Sequence, residues 1–486
     1  GAFSDDAGNA VDVPAGKALV KDTNSASATY GLYILQEAVA KNTTDGNDTY
    51  YTTLQDAVDA ATDGTTVTLL KDLNGTDDAA LTKRVEVNPG ANKSITIDLG
   101  GKTITVTHTS GNGSAFNIVS GNVTIKNGSI DGTGVAEVEN AGTTAEAVGE
   151  KDGICLVTVR SGATLSIPAD TGDQKLAMTV KSKNGCCVYP FAGGTVKIAG
   201  GSFANTTAEK YQYKDGFMGL TVNQANDQLQ LIHITGGTFK GNDPQLGDDS
   251  NGARAVESGY VAMPAHGTTA GQNGTYNVVE GGVVTFDTDG GTPIPEAQRV
   301  AKGDKVTKPT NDPTRKGYTF TGWYNDETQW NFESNTVTTD MTLVAQWEMG
   351  VLYVEFDDAT YDGTAKESIK KVTVTVKVNE EDRTTTLEAD KDYMAVYKNN
   401  INACEADAEG GALVKITGIG DYYGFSTEKH FAINKAAQKL SFATASPDAI
   451  TYAPGKTFSN AATAKYNDPV ADISYAVSDE TVAAVD

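Results

Sequence analysis

The same alternation of apolar and polar positions returns three times in the first half of the chain. It reads Val123-Thr-Ile-Lys-Asn-Gly-Ser-Ile130, Val196-Lys-Ile-Ala-Gly-Gly-Ser-Phe203 and Ile232-His-Ile-Thr-Gly-Gly-Thr-Phe239. A looser copy, Ile95-Thr-Ile-Asp-Leu-Gly-Gly-Lys-Thr-Ile104, carries two extra residues. Period-two alternation is the mark of a strand with one buried face, and the glycines mark bends between strands. One such unit cannot bury its apolar edge, whereas stacked copies can. The copies start 28, 73 and 36 residues apart, which fits coils of about 20–29 residues with insertions. Similar strand phrases at 115–119, 154–159, 164–167 and 176–180 fill the intervals. The pattern predicts a mainly β chain with a right-handed parallel β-helix over 66–281. Polar, glycine-rich stretches at 135–152, 204–216 and 241–256 are expected as inserted loops. Tyr260-Val-Ala-Met263 and Gly274-Thr-Tyr-Asn-Val-Val279 read as closing strands.

Residues 1–65 carry a different periodicity. In Thr52-Thr-Leu-Gln-Asp-Ala-Val-Asp-Ala-Ala61, helical spacing puts Leu54, Ala57, Val58 and Ala61 on one face. Thr52 with Gln55 reads as a capping box, and Asp63-Gly64 as the stop. Tyr30-Gly-Leu-Tyr-Ile-Leu-Gln-Glu-Ala-Val-Ala40 echoes this helix. A helical cap over the open end of the first coil is therefore expected.

Three stretches resemble known families. Tyr51-Thr-Thr-Leu-Gln-Asp-Ala-Val, followed by Thr66-Val-Thr-Leu-Leu-Lys-Asp72, resembles the opening of β-helix regions in bacterial cell-surface proteins. Val284-Thr-Phe-Asp-Thr-Asp-Gly-Gly-Thr292, Arg315-Lys-Gly-Tyr-Thr-Phe-Thr-Gly-Trp-Tyr324 and Met341-Thr-Leu-Val-Ala-Gln-Trp347 resemble the internalin-type B-repeat, a Listeria-Bacteroides-type repeat. That resemblance implies a small β-grasp-like domain over 282–349, with Phe286, Tyr318, Phe320, Trp323, Phe332 and Trp347 as its core. Tyr361-Asp-Gly-Thr364 and Val414-Lys-Ile-Thr-Gly-Ile-Gly-Asp-Tyr-Tyr-Gly424 are similar to bacterial Ig-like repeats, implying an Ig-like sandwich over 350–436. Residues 437–486 resemble an incomplete second Ig-like domain, so the natural protein is expected to continue beyond Asp486, with any surface anchor there. The opening Gly1-Ala-Phe-Ser-Asp-Asp6 reads as a trimmed start.

Composition narrows the function more than the fold. A chain of 486 residues exceeds one ordinary core. Lys and Arg total 38 against 63 Asp and Glu, a net charge of −25, which argues against nucleic acid as a partner. No apolar run approaches the length of a membrane span. Cys155, Cys186, Cys187 and Cys404 lack zinc spacing. One of the adjacent pair should face the core, and whether Cys155 joins a disulfide stays open. His108, His233, His266 and His430 show no metal spacing, and His233 should face outward between two core isoleucines.

The chemistry of polysaccharide lyases would need acids and a base brought together. Asp98, Asp131 and Arg160 are the candidates, and Asp248-Asp249 is a carboxylate pair without the expected basic companions. Neither forms a motif, so no catalytic residue, cofactor or metal is assigned. Tyr189, Phe191, Tyr211, Tyr213 and Phe217 cluster near the later inserted loops and are the candidate ligand contacts, by stacking on sugars or by packing under those loops. Asn42 and Asn205 stand in Asn-x-Thr sequences that turn composition generates by chance. The expectation is a monomeric, extracellular bacterial surface protein that binds host or microbial glycan or a surface protein. The alternatives are a polysaccharide-active enzyme and a structural spacer.

Overall fold

The computed structural model describes residues 2–3, 13–73, 83–107, 114–135, 155–181, 185–206, 221–224, 230–246, 255–270, 273–378, 380–442, 444, 460 and 462–464. The inserted loops expected at 135–152, 204–216 and 241–256 lie mostly outside these residues, as does most of 437–486. The described chain is mainly β, and it forms two compact units. One holds residues 1–286 with 295–308 and 330–343, the other 287–294 with 309–329 and 344–486.

In the first unit the repeated phrase becomes two strands joined by a corner. Its alternating part lies in a first sheet made of Thr66–Leu69, Ser94–Asp98, Gly121–Lys126, Ala163–Ile167, Thr195–Ile198 and Ile232–Ile234, all paired in parallel. A second parallel sheet holds Val85–Val87, Phe116–Ile118, Cys155–Val159 and Cys186–Pro190. A third holds Thr103–Thr105, Gly128–Gly132, Leu176–Val180, Ser202–Asn205 and Gly237–Gly241. The result is a β-helix-like stack. Its register runs Ile95, Val123, Leu165, Val196, Ile232 down the first sheet, in steps of 28, 42, 31 and 36 residues. The 73-residue interval thus holds one further coil, whose first-sheet strand, Ala163–Ile167, is the phrase read at 164–167.

Corners dictate glycine. The second residue of each corner, Gly128, Gly201 or Gly237, has φ of 153°, 90° or 101°. At Gly236 a Cβ would stand 2.2 Å from the Ala199 carbonyl oxygen of the preceding coil. Coils about 4.8 Å apart leave no room for a side chain at that point.

Inward positions form columns. On the third sheet Ile104, Ile130, Met178, Phe203, Phe239 and Tyr276 follow one another in register, each at most 1% exposed. The Phe203 and Phe239 rings stack at 5.1 Å. The second sheet contributes Val85, Phe116, Val157 and Val188 to the same core.

The expected helical cap is not what covers the first coil. Helix occupies only Leu54–Asp59, with Thr53 rather than Thr52 as its N-cap, accepting from the Asp56 N–H at 3.0 Å. Leu54, Ala57 and Val58 are buried as the spacing requires. The segment echoing it is instead the strand Tyr33–Glu37, antiparallel to Lys17–Lys21. Partner strands override a weak local preference. The first sheet is closed by an antiparallel hairpin, Ala40–Thr44 with Asn47–Tyr51. Its Asp45-Gly46 turn has positive φ at both residues, 50° and 79°, the conformation a two-residue hairpin loop demands. Gln55 no longer serves a capping box. Its carboxamide accepts from the Glu86 N–H at 2.9 Å and donates to the Glu86 carbonyl at 3.0 Å. It thereby satisfies the edge of Val85–Val87, the last strand of its sheet among the described residues.

At the other end Gly237–Gly241 pairs antiparallel with the long strand Gly274–Asp287, which Tyr260–Pro264 also joins. Gln298–Ala301 adds to the same strand. Its Arg299 forms a two-pronged pair with Asp243, at 2.9 and 2.6 Å, and also donates to the Ala262 carbonyl at 2.9 Å. The Asp243 side chain is 0% exposed.

In the second unit, Tyr318–Asn325 pairs antiparallel with Met341–Met349. Phe320 lies edge-on to Trp323 and Trp347 at 5.6 and 5.5 Å. The Trp347 indole donates to the Thr288 carbonyl at 3.0 Å. Tyr318 leaves this group and meets Phe425 at 5.2 Å. Two antiparallel sheets, Val351–Phe356 with Ile369–Val378 and Glu381–Leu387, and Tyr393–Lys398 with Leu413–Gly418 and Ser426–His430, share one apolar core.

The Asp243–Arg299 pair yields a direct expectation. Arg299→Ala removes the cation that neutralises a buried carboxylate and should cost about 3–5 kcal/mol in urea unfolding, whereas the double change Asp243→Leu with Arg299→Met should recover most of it.

Candidate functional site

On the second sheet the outward positions are Glu86, Asn117, Thr158 and Tyr189, one per coil and in register. Each sits between inward apolar neighbours, so the strands that build the core also present this column. Its polar members are tied together. Arg84 Nε donates to Glu86 Oε1 at 2.7 Å, and Asn117 Nδ2 donates to Glu86 Oε2 at 2.6 Å. Asn117 Oδ1 accepts from the Thr158 hydroxyl at 2.8 Å and from Arg160 Nε at 3.0 Å. The Arg160 guanidinium then lies over the Phe191 ring at 4.0 Å, and Phe191 meets Tyr189 edge-on at 5.1 Å. One chain of contacts crosses four coils and ends on two aromatic rings.

Of the predicted contact residues, Tyr189 and Phe191 are brought together here. Tyr189 is buried and Phe191 is half-buried, with one face covered by Arg160. Tyr211, Tyr213 and Phe217 lie outside the described residues. Asn117, Thr158, Arg84 and Glu86 were not singled out from the sequence. Their signal was the central polar residue in Val-Glu-Val, Phe-Asn-Ile and Val-Thr-Val, which becomes a column only once the register is known.

Asp98, Asp131 and Arg160 are dispersed over three sheets. Asp98 pairs with Lys126 at 3.4 Å and accepts from Asn127, Asp131 accepts from Thr133, and Arg160 serves Asn117. Asp248 and Asp249 are outside the described residues. Among the described residues no three His, Cys, Asp or Glu side chains gather as metal ligands. His233 does face outward, between buried Ile232 and Ile234, and pairs with Glu257. Asn42 and Asn205 are both buried. The Asn42 amide holds the Ala57 carbonyl at 2.7 Å and Asn205 the Gly185 carbonyl at 3.2 Å.

A second outward column runs along the first sheet through Thr66, Thr96, Thr124, Ser166, Lys197 and His233. It offers hydroxyls at the coil spacing and turns basic at its last two positions.

The class defined by these features is a modular, mainly β protein whose stacked coils carry polar columns on their outer faces. Residues 283–346 match the Listeria-Bacteroides repeat domain, the repeat expected over 282–349. Two proteins of Evansella cellulosilytica are similar over 77 residues, 15% of this chain. One, provisionally named a Gly-rich membrane protein, is 39% identical over 9% of its own length. The other, provisionally named a membrane protein, is 38% identical over 11% of its length. The chain thus spans about a tenth of the relatives it matches. No helix among the described residues is long and apolar enough to cross a membrane.

Asn117 is the hub of the network. Asn117→Ala leaves the Thr158 hydroxyl and one Arg160 donor without this acceptor, and should lower stability by about 1–3 kcal/mol. Equilibrium denaturation of the variant measures it.

Proposed function

We propose that this is a bacterial cell-surface protein that binds without catalysis, its ligand a glycan or surface protein of host or microbial origin. The parallel stack, read as a right-handed β-helix, is the head. The β-grasp-like repeat and the Ig-like modules are the stalk, and the molecule acts as an extracellular monomer. The observation that carries this reading is the joining of a Listeria-Bacteroides repeat to a stack whose first sheet carries a long, partly exposed column of polar side chains. Relatives named as membrane proteins support an envelope location.

That column, Thr66 to His233, repeats polar groups about every 4.8 Å, a spacing suited to an extended ligand lying along the stack. Phe191, with Arg160 over one face and the buried Tyr189 edge-on to it, supplies a half-exposed aromatic ring with a cation beside it, as sugar rings and their acidic substituents require. Tyr211, Tyr213 and Phe217 are the further contacts of this reading. With a net charge of −25, nucleic acid is not among the partners.

A glycan array with the full chain tests this. Selective binding that falls about tenfold, roughly 1.4 kcal/mol, in Phe191→Ala is the expected outcome. Release of shortened or unsaturated sugars from a bound polysaccharide would replace it with the enzyme reading. Failure to bind glycans, and failure to bind intact cells, would leave a spacer.

A further inference from the structure

The second sheet brings together two thiols that the sequence holds 31 residues apart. Cys155 and Cys186 are register partners on adjacent parallel strands, and their Sγ atoms are 3.6 Å apart. Their Cα atoms, at the parallel-strand spacing of about 4.8 Å, fall within the range of roughly 4.4–6.8 Å that a disulfide spans. Cys186 is 1% exposed, whereas Cys155 is half-buried and so the more accessible of the two. Adjacent Cys187 lies in the core, with its thiol against the Met178 and Ala204 carbonyls at 3.5 and 3.6 Å. Burial pushes that thiol up to about 12, which leaves it protonated and inert. Cys404 sits against the Phe431 carbonyl and the Ala412 N–H in its own module.

We infer that Cys155 and Cys186 are a reversible modification site, a dithiol that a small-molecule disulfide converts into a cross-link between successive coils. The Cys155 thiol gives its proton to solvent, and the thiolate attacks one sulfur of the reagent. That S–S bond breaks and one thiolate leaves, so Cys155 carries a mixed disulfide. Cys186 then loses its proton and attacks the Cys155 sulfur, expelling the second thiolate. The protein has lost two electrons and two protons, and the reagent has become two thiols. As the hydrogen-bond partner of Cys155, the Cys186 thiol draws the Cys155 thiol below its ordinary value, which favours the first attack. The cross-link would rivet together the two strands that lead into Thr158, Arg160, Tyr189 and Phe191. It depends on the register alone and not on what that face binds.

The test is to incubate the full native chain with oxidised glutathione, denature it, and count alkylatable thiols. Two of the four cysteines should be lost, and non-reducing peptide mapping should join Cys155 to Cys186. The oxidised protein should melt at a higher temperature than the reduced one, and the difference should vanish in Cys155→Ser and persist in Cys404→Ser. Four free thiols after oxidation would overturn the inference, as would a stable glutathione adduct on Cys155 or a cross-link to another cysteine. The thiol count and the map are read on the unmodified sequence, so a variant that fails to fold does not blunt them.

Discussion

Everything in the first unit depends on how closely one coil can lie on the next. Parallel in-register strands must approach to about 4.8 Å for their backbone groups to pair, and at the corners that distance is set by whatever projects between coils. Gly236 meets the Ala199 carbonyl with no space for a Cβ. If the corners stood further apart, the three sheets would lose their ladders together, because the coils that start at Ser94, Gly121 and Ala163 each contribute a strand to all three. The small residues of the repeated phrase are thus what allow its apolar residues to form continuous columns.

The same close spacing couples the core to the outer face. Asn117 is 4% exposed although it lies on the outward side, because the rungs above and below it, Glu86 and Thr158, are within hydrogen-bonding reach. A buried polar group is tolerated only when its partners are supplied, and the stack supplies them automatically to neighbours in a column. Polar columns on such a scaffold are therefore rigid, and rings attached to them, as Phe191 is through Arg160, inherit that rigidity.

Much of this was legible in the sequence. The three clean copies named their strands, the outward turn of His233 followed from alternation, and the Listeria-Bacteroides repeat showed itself through Gly322-Trp-Tyr324 and Trp347. The strand Ala163–Ile167 was read from Thr164-Leu-Ser-Ile167 but not as a further copy of the phrase, because Pro168, not a glycine, follows it and a separate turn at 171–174 completes the corner. The antiparallel hairpin at 40–51 carried an Asp-Gly turn signal, but the neighbouring helix drew attention to itself. Tyr33–Glu37 has the letters of a helix and the partner of a strand. The polar network could not be read at all before the register was known, since Thr158 reaches back 41 residues to Asn117, and nothing local measures that distance.

The inward column of the third sheet has a direction. From Ile104 and Ile130 through Met178 to Phe203, Phe239 and Tyr276, its members grow larger along the chain. The repeated phrases look alike as strings, yet their closing residues are not interchangeable volumes. A strand that slipped by one coil would press an aromatic ring where an aliphatic side chain packs or leave a void where a ring packs, and close-packed interiors penalise both. The taper therefore works as an address: it tells each near-identical segment which floor of the stack is its own.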